Sequence, residues 1–476
     1  MKIKVGGGNI RIEEFAELCG GVLCANFDVE EFGFSHVCTD SREADADTLF
    51  VVMKGERVDG HDYMESAWER GCRAFLCQRI PEAFVANEYE FAVITCEESV
   101  TALGNFVRAY YEFRQKKTVA VTGSVGKTTT KEMISAVLGE KFRLHKTDGN
   151  HNSTIGMPMS LLAMEPSDEL MVAEMGMGGF GEISFMSRIA CPDIACITNI
   201  GSSHLEALGS RENIALAKLE IAEGLSKDGV LILNGDEPLL ASVPAGIKTI
   251  YVSVDNPEGD YRAVNIRHLE NGTVFDLARG GEIMSDIQLP CVGKPYVWAA
   301  LFAVAVGERL GMDAESIKRG LMNFKRADMR QNIECFKGIT VIEDCYNAAP
   351  ESMRAAADVM KLLSDSHGGA RTVALLGDMR ELGENSREYH KEVGRYFASL
   401  GLSRLFCVGE LAVDIARGAL DAGMENNAVT IYTDHDDTEK ISDIVSCELQ
   451  ENDILLVKAS RAIGAEKILK LIKEKM

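Results

Sequence analysis

Positive charge is scarce in this chain. Its 476 residues carry 50 Lys and Arg against 73 Asp and Glu, a formal net charge of −23. Proteins that grip nucleic acid through its phosphates present a net basic footprint, so broad nucleic-acid binding is excluded. An anionic small-molecule substrate is not, because a few placed lysines and helix N-termini can hold phosphate inside an acidic protein. Paired cysteines are missing too. The 13 cysteines are scattered, none stands in a Cys-x-x-Cys pair, and close spacings such as Cys72/Cys77 and Cys191/Cys196 do not suit zinc. They read as reduced thiols of a cytoplasmic protein. No run of 18 apolar residues occurs, so no membrane-spanning helix and no membrane insertion are expected. The opening Met1-Lys-Ile-Lys-Val-Gly-Gly-Gly8 lacks the apolar stretch of a signal peptide. Short-period repeats and low-complexity tracts are absent as well.

What is present is ordinary globular composition, 46% hydrophobic and 26% charged. At about 150 residues per domain, the length divides into roughly three domains. A first seam falls at residues 112–117, after a helical pattern from Val100 to Tyr111. Beyond it, the β-branched run Thr118–Thr122 leads into a glycine turn and a helical pattern from Thr128 to Leu138. Strand, glycine turn and helix open an α/β nucleotide-binding domain. Near-continuous apolar runs at Leu170–Ala173, Ile194–Ile200 and Val230–Leu233 read as buried parallel strands, with a helical pattern at Asn213–Leu225. A second seam sits at residues 325–331. After it the alternation restarts at Ile339–Ile342, Thr372–Leu376, Leu405–Val408 and Ile454–Val457. The expected fold is α/β in three domains. They are a small α/β domain over 1–114, a central P-loop-type α/β ATPase domain over 115–328, and a C-terminal Rossmann-like α/β domain over 329–476.

The sharpest local signal is Gly123-Ser124-Val125-Gly126-Lys127-Thr128-Thr129. Glycines let backbone N–H groups curl round phosphate oxygens, and the following helix points its positive end at them. Lys127 can reach the β- and γ-phosphates and the Thr128 hydroxyl can ligate Mg²⁺. The usual P-loop has one more glycine, where Val121 stands. Two further groups follow strand-like runs: Glu174 in Val172-Ala-Glu174-Met-Gly176, and His204 in Asn199-Ile-Gly-Ser-Ser-His204. The C-terminal ends of parallel strands are where such sheets bind ligands. By residue type alone, Lys218 in Ala217-Lys218-Leu219-Glu220 is a solvated helix residue.

These segments, with Gly149-Asn150-His-Asn152 and Ile155-Gly156-Met-Pro158, resemble the Mur ligases, ATP-dependent enzymes that form amide bonds in cytoplasmic peptidoglycan synthesis. Within that family, Leu376-Gly377-Asp378-Met379-Arg-Glu381-Leu382-Gly383 followed by His390, and Asp344-Cys-Tyr346-Asn347-Ala-Ala-Pro350, are similar to members that add a dipeptide. The resemblance implies the partners UDP-N-acetylmuramoyl-tripeptide and D-alanyl-D-alanine, ATP and Mg²⁺ as cofactors, and a monomer. It assigns Ser41, Arg42, Asp59 and His61 to the uridine-nucleotide site, in Thr39-Asp-Ser-Arg42 and Gly55-Glu-Arg-Val-Asp59-Gly-His61. Asn150, Asn152 and Asp378 go to substrate. Lys127, Glu174, His204 and Lys218 form the catalytic group, with Thr128, Glu174, His204 and a carbamylated Lys218 as metal ligands. Gly123 through Thr129, Arg330, Tyr346 and Asn347 would contact ATP.

Some positions depart from the family pattern. Gly293-Lys294-Pro295-Tyr296-Val297-Trp298-Ala299 replaces a stretch that often reads His-Asn-x-x-Asn near the adenine, leaving Tyr296 or Trp298 to stack on the base. Ser153 stands for a second Asn, Met329-Arg330 for Gly-Arg, and Ala459 for the glycine of a Lys-Gly-Ser-Arg segment. A related ligase adding a single amino acid, such as a folylpolyglutamate synthase, and a P-loop NTPase of another class remain the alternatives.

Overall fold

In the computed structural model the β-branched run before the glycine turn is the strand Lys117–Thr122, and the periodic stretch after it is the helix Lys127–Leu138. The structure describes residues 1–55, 58–86, 89–114, 116–241, 243, 246–270 and 272–476. Glu56 and Arg57, within the expected uridine-nucleotide segment, and Gln115, at the first seam, lie outside the described residues. The chain packs as two units: 1–122, 142–195 and 219–230 in the first, and 123–141, 196–218 and 231–476 in the second.

The first unit holds a six-stranded sheet in the order Lys2–Lys4, His36–Cys38, Thr48–Val51, Ala74–Cys77, Ala92–Thr95, Val22–Ala25. Its four central strands run parallel and its two edge strands antiparallel. Thr48–Val51 and Ala74–Cys77 are buried at every residue, as strands covered on both faces require. Helix Ser99–Arg114 lays Phe106 against Phe15 of helix Ile12–Cys19, with ring centroids 4.4 Å apart. A parallel set Leu144–Lys146, Leu170–Glu174, Lys117–Thr122 follows, its register pairing Glu174 with Val121. The helical pattern expected over Asn213–Leu225 is interrupted: the α-helix runs Arg211–Leu219 and tightens into a 3₁₀ turn, Glu220–Gly224. Gly224 lies where a Cβ would come within 2.1 Å of the Ser187 carbonyl oxygen, and the Glu220 carboxylate accepts the Gly181 and Ser184 N–H groups at the start of helix Glu182–Ala190. These contacts pull the chain off the α-helical path.

The second unit carries the strands Lys248–Ser253, Tyr261–Leu269, Gly272–Arg279 and Glu282–Leu289, the last three forming an antiparallel meander. Helices Lys127–Leu138, Lys294–Arg309 and Ala314–Met322 pack together, with Gly320 so close to Val137 that a Cβ would sit 2.4 Å from its Cα. A second six-stranded sheet follows, in the order Asn332–Phe336, Ile339–Asp344, Ile454–Lys458, Thr372–Gly377, Arg404–Val408, Val429–Tyr432. Only its first pair is antiparallel. Its two faces are covered by apolar clusters, one with helices Pro350–Ser366, Ser386–Ser399 and Ala412–Asp421, the other with Thr438–Glu448 and Ala465–Lys475. That is the doubly wound arrangement expected of the C-terminal part.

Candidate active site

The Gly-rich turn is fixed by side chains from the strand end opposite it. Gly123 has φ +150°, and a Cβ there would lie 1.8 Å from the Thr198 hydroxyl oxygen, so no other residue fits. Gly126, at φ +82°, begins the helix. Thr198 donates its hydroxyl to the Val125 carbonyl (2.6 Å), and Asn199 accepts the Val125 N–H on its side-chain oxygen (2.9 Å) and the Ser124 N–H on its carbonyl (3.1 Å). Lys127 folds back to donate to the Gly123 and Ser124 carbonyls at 2.8 and 3.3 Å. The loop is thus held by contacts within the protein, with an ammonium and a helix N-terminus at its mouth.

The loop forms one wall of a cleft of about 830 Å³ in the second unit. The cleft brings together Ser124, Val125, Gly126, Lys127, Thr128 and Thr129 with Arg330 and Asn347. Tyr346 stands next to Asn347 and carries the Arg330 guanidinium over its ring, 4.1 Å from the centroid. Three further residues line the cleft; Asp236 had no sequence signal of its own, whereas Lys458 heads the Lys-Ala-Ser-Arg segment. Lys458 is buried and donates to Asp344 (2.7 Å) and to the Asn347 carbonyl (2.9 Å). Asp236 accepts the Trp298 indole N–H (2.7 Å) and three backbone N–H groups of residues 254–256. Glu351 accepts both the N–H and the hydroxyl of Ser202 on one oxygen. Both aromatic residues expected to face a base line the cleft: Tyr296 is buried and packs edge-on against Phe324, and Trp298 is half-buried.

His204 and Lys218 belong to the same unit. His204, at φ +67°, donates its Nδ1–H to Glu381 Oε2 at 2.8 Å. That hydrogen bond is the main reason the Glu381 carboxyl titrates below the usual range, against the effect of burial. Lys218 is only 1% exposed. Burial first, and the nearby Lys127 charge second, push its pKa well below the ordinary lysine value. Its expected place on a solvated helix face, by residue type alone, is corrected: the side chain turns inward. Asp378 is also buried. Its Oδ1 accepts the Leu411 and Ala412 N–H groups at 2.9 and 2.8 Å, capping helix Ala412–Asp421, so its carboxylate holds the loop together rather than facing the cleft.

In the first unit, Glu174 is 2% exposed at the C-terminal end of its strand and accepts the Asn152 amide at 2.8 Å. Asn150 stands two residues before Asn152 in an exposed turn and accepts its N–H. Ser41 and Arg42 lie on the turn Ser41–Glu43, and His61 lies in the turn Gly60–Tyr63 that follows Asp59. The two turns follow the neighbouring parallel strands His36–Cys38 and Thr48–Val51. Asp40 caps the first turn and pairs with Arg42, whose hydrogen bonds hold its carboxyl far below the carboxylate range. Asp59 accepts the His61 N–H and Nδ1 and pairs with Arg79, and its pKa falls to about 2, chiefly through the His61 hydrogen bonds.

Family models described as "Mur ligase family, catalytic domain", "Mur ligase middle domain" and "Mur ligase, glutamate ligase domain" match residues 34–124, 121–307 and 325–461. The UDP-N-acetylmuramoyl-tripeptide–D-alanyl-D-alanine ligase of Bacillus subtilis (strain 168) is 41% identical over 462 residues, covering 96% of this chain and 97% of that protein. The chain belongs to the Mur ligase family. Among solved structures, this Mur ligase is similar to MurF from Acinetobacter baumannii, with a TM-score of 0.89, 28% identity and coverage of 99% and 100% of the two chains. It is also similar to MurF ligase from Thermotoga maritima in complex with ADP, with a TM-score of 0.80, 28% identity and coverage of 92% and 97%. Among the described residues, no helix of this Mur ligase is long and apolar enough to cross a membrane.

Proposed function

We propose that this chain is the ligase that uses ATP to join D-alanyl-D-alanine to UDP-N-acetylmuramoyl-tripeptide, working in the cytoplasm as a monomer. The end-to-end likeness to the B. subtilis ligase of that name carries the reading. Residues 1–114 are assigned to the UDP-sugar peptide, 115–328 to ATP, and 329–476 to the closing Rossmann-like domain. The three family-model matches support that division.

A carboxylate is a poor acyl donor at neutral pH. Transfer of the γ-phosphoryl group from ATP to the peptide carboxylate breaks the bond to the ADP oxygen and makes an acyl phosphate. The neutral amine of the dipeptide then attacks the acyl carbon, phosphate leaves with its electron pair, and the amine proton passes to solvent. The P-loop N–H groups, the helix N-terminus and Lys127 hold the β- and γ-phosphates, where positioning and charge neutralisation contribute most. Arg330 adds a guanidinium to the same cleft, and Asn347 and Tyr346 support it. Ser41, Arg42, Asp59 and His61 hold the uridine nucleotide. Asn150 and Asn152 bind the peptide. Asp378 orders the amine side through the loop that it caps.

The Thr128 hydroxyl and the Glu174 carboxylate are hard oxygen donors of the kind Mg²⁺ prefers, and each would supply one ligand. A second ion would be held by His204 and Lys218. A lysine with a depressed pKa carries the neutral amine that CO₂ needs to form a carbamate, which turns a repelled cation into an oxygen ligand. Bound Mg²⁺ supplies neutralisation of the charge on the transferring phosphoryl group.

A coupled phosphate-release assay tests the reading. Phosphate should appear only when ATP, UDP-N-acetylmuramoyl-tripeptide and D-alanyl-D-alanine are present together. Release with a single amino acid in place of the dipeptide, or with ATP alone, would replace the proposal with one of its alternatives.

A further inference from the structure

Two carboxylates, Glu351 in the first turn of helix Pro350–Ser366 and Glu381 in the loop after strand Thr372–Gly377, bear on one short stretch of chain, residues 201–206. Glu351 accepts the Ser202 N–H and hydroxyl at 2.9 and 2.8 Å. Glu381 pairs with His204 Nδ1 at 2.8 Å, and its carbonyl accepts the Glu206 N–H at 3.2 Å. Gly383 comes so close to Glu206 that a Cβ would lie 3.3 Å from its Cα. Both His204 (φ +67°) and Glu381 (φ +64°) sit in the left-handed region, which non-glycine residues adopt only where surrounding contacts demand it.

An imidazole has two unlike nitrogens, and the partner of one sets the job of the other. With a carboxylate on Nδ1, the proton resides there and the lone pair stands on Nε2. Histidines that bind metals are held this way, and losing the carboxylate lowers metal affinity roughly 10–100-fold. We propose that Glu381 is the positioning residue for His204, fixing its tautomer and ring so that Nε2 is presented to the cation that accompanies the nucleotide. The inference rests on the reading of His204 as a cation ligand. It adds that this ligand is made ready by the Leu-Gly-Asp-Met-Arg-Glu loop, whose partner lies 177 positions earlier in the chain.

The test uses the full-length protein labelled with ¹⁵N-histidine, and E381A, E381Q and H204A variants. Long-range ¹H–¹⁵N spectra taken without metal should show one ring, missing in H204A, in the Nδ1–H form, and in E381A that ring should shift towards the Nε2–H form. The Mg²⁺ concentration giving half-maximal ligation should rise about 10–100-fold in E381A and less in E381Q, whose amide oxygen still accepts from Nδ1. A purely structural glutamate would lower the melting temperature without moving the tautomer. An unchanged tautomer together with a Mg²⁺ midpoint within twofold of wild type in E381A overturns the proposal while leaving the cation reading intact. If H204A itself leaves the Mg²⁺ requirement unchanged, the cation reading fails and takes this inference with it. Should E381A not fold, E381M, of similar size but with no oxygen to accept from Nδ1, decides on the same two readouts.

Discussion

Lys218, 1% exposed, is buried within reach of the Lys127 charge of the P-loop, which adds to the effect of burial. Both burial and that neighbour disfavour its ammonium form. A carbamate reverses the sign and gives the side chain a reason to be there. Carbon-13 bicarbonate should therefore produce a carbamate NMR signal in the wild type that K218A lacks. K218A should lose activity by at least about 10²-fold, the scale of removing one charge-stabilising group, and K218E should recover part of it. Full activity in K218A would return this residue to a packing role.

Lys127 is a different case, because its ammonium rests on the carbonyls of its own loop and faces the cleft. K127A should fold normally, with a melting temperature near wild type, since the loop is held by Thr198 and Asn199. Its kcat should fall by about 10²–10³-fold, the loss typical of one preorganised transition-state donor. Steady-state kinetics with saturating ATP separates this from simple loss of nucleotide binding.

Local signals were easy to read, and long-range ones were not. The strand–glycine–helix order around Gly123–Thr128 is contiguous, and four of the six strands in the C-terminal sheet are continuous apolar runs buried on both faces. The edge strands Asn332–Phe336 and Val429–Tyr432 are only partly buried and lack such runs. The meander Tyr261–Leu289 alternates polar and apolar residues, a weaker pattern than a continuous run. Strands of three or four residues in the first sheet are too short for periodicity to register. In the site, the P-loop and the resemblance-based positions of Arg330 and Asn347 were legible. Glu351 was not, because a carboxylate at a helix start is commonplace and its partner Ser202 lies 149 positions away. Nor could the inward turn of Asp378 be read, since its partners Leu411 and Ala412 come from the next βα unit.

Gly123 offers a stability test confined to the loop. A methyl group there would overlap the Thr198 hydroxyl, 1.8 Å from the added carbon, at a φ of +150° that L-residues rarely adopt. G123A should lower the unfolding free energy by about 1–3 kcal/mol, as overpacking does, and should weaken nucleotide binding at the same time. Urea denaturation alongside ADP titration checks both. The double variant G123A/T198A removes the obstructing hydroxyl and should regain part of the stability, though not the part due to φ.

The order of chemistry can be checked by trapping. Hydroxylamine added with ATP and UDP-N-acetylmuramoyl-tripeptide, without the dipeptide, should yield a hydroxamate, because it attacks the same acyl carbon as the natural amine. The yield should fall with K127A in proportion to the loss of turnover. Normal ligation with no hydroxamate would count against an acyl phosphate.

His390 ties the loop at residues 378–383 to pH. Its ring is buried, with Nε2 accepting the Met379 N–H at 3.0 Å and Nδ1 donating to the Ser386 carbonyl at 2.6 Å. A proton added to Nε2 would abolish the acceptor and oppose the Met379 N–H. Burial is the largest influence and lowers the His390 pKa, outweighing the Ser386 carbonyl and the nearby Asp378 and Asp414 charges, which raise it. The folded pKa thus lies below the unfolded value of about 6.5, so the unfolded chain binds the proton first on acidification. The contribution of His390 to stability is complete above that value and declines as pH falls below it. His145 and His268 are also depressed by burial and add slopes of the same sign, so the comparison must be with a variant rather than with theory. Urea unfolding of wild type and H390Q between pH 8 and pH 5 isolates the residue, since glutamine can still accept a hydrogen bond and does not titrate. The stability gap between the two proteins should narrow towards low pH. A gap that stays constant, or widens on acidification, would show that His390 does not titrate between folded and unfolded states as its burial requires.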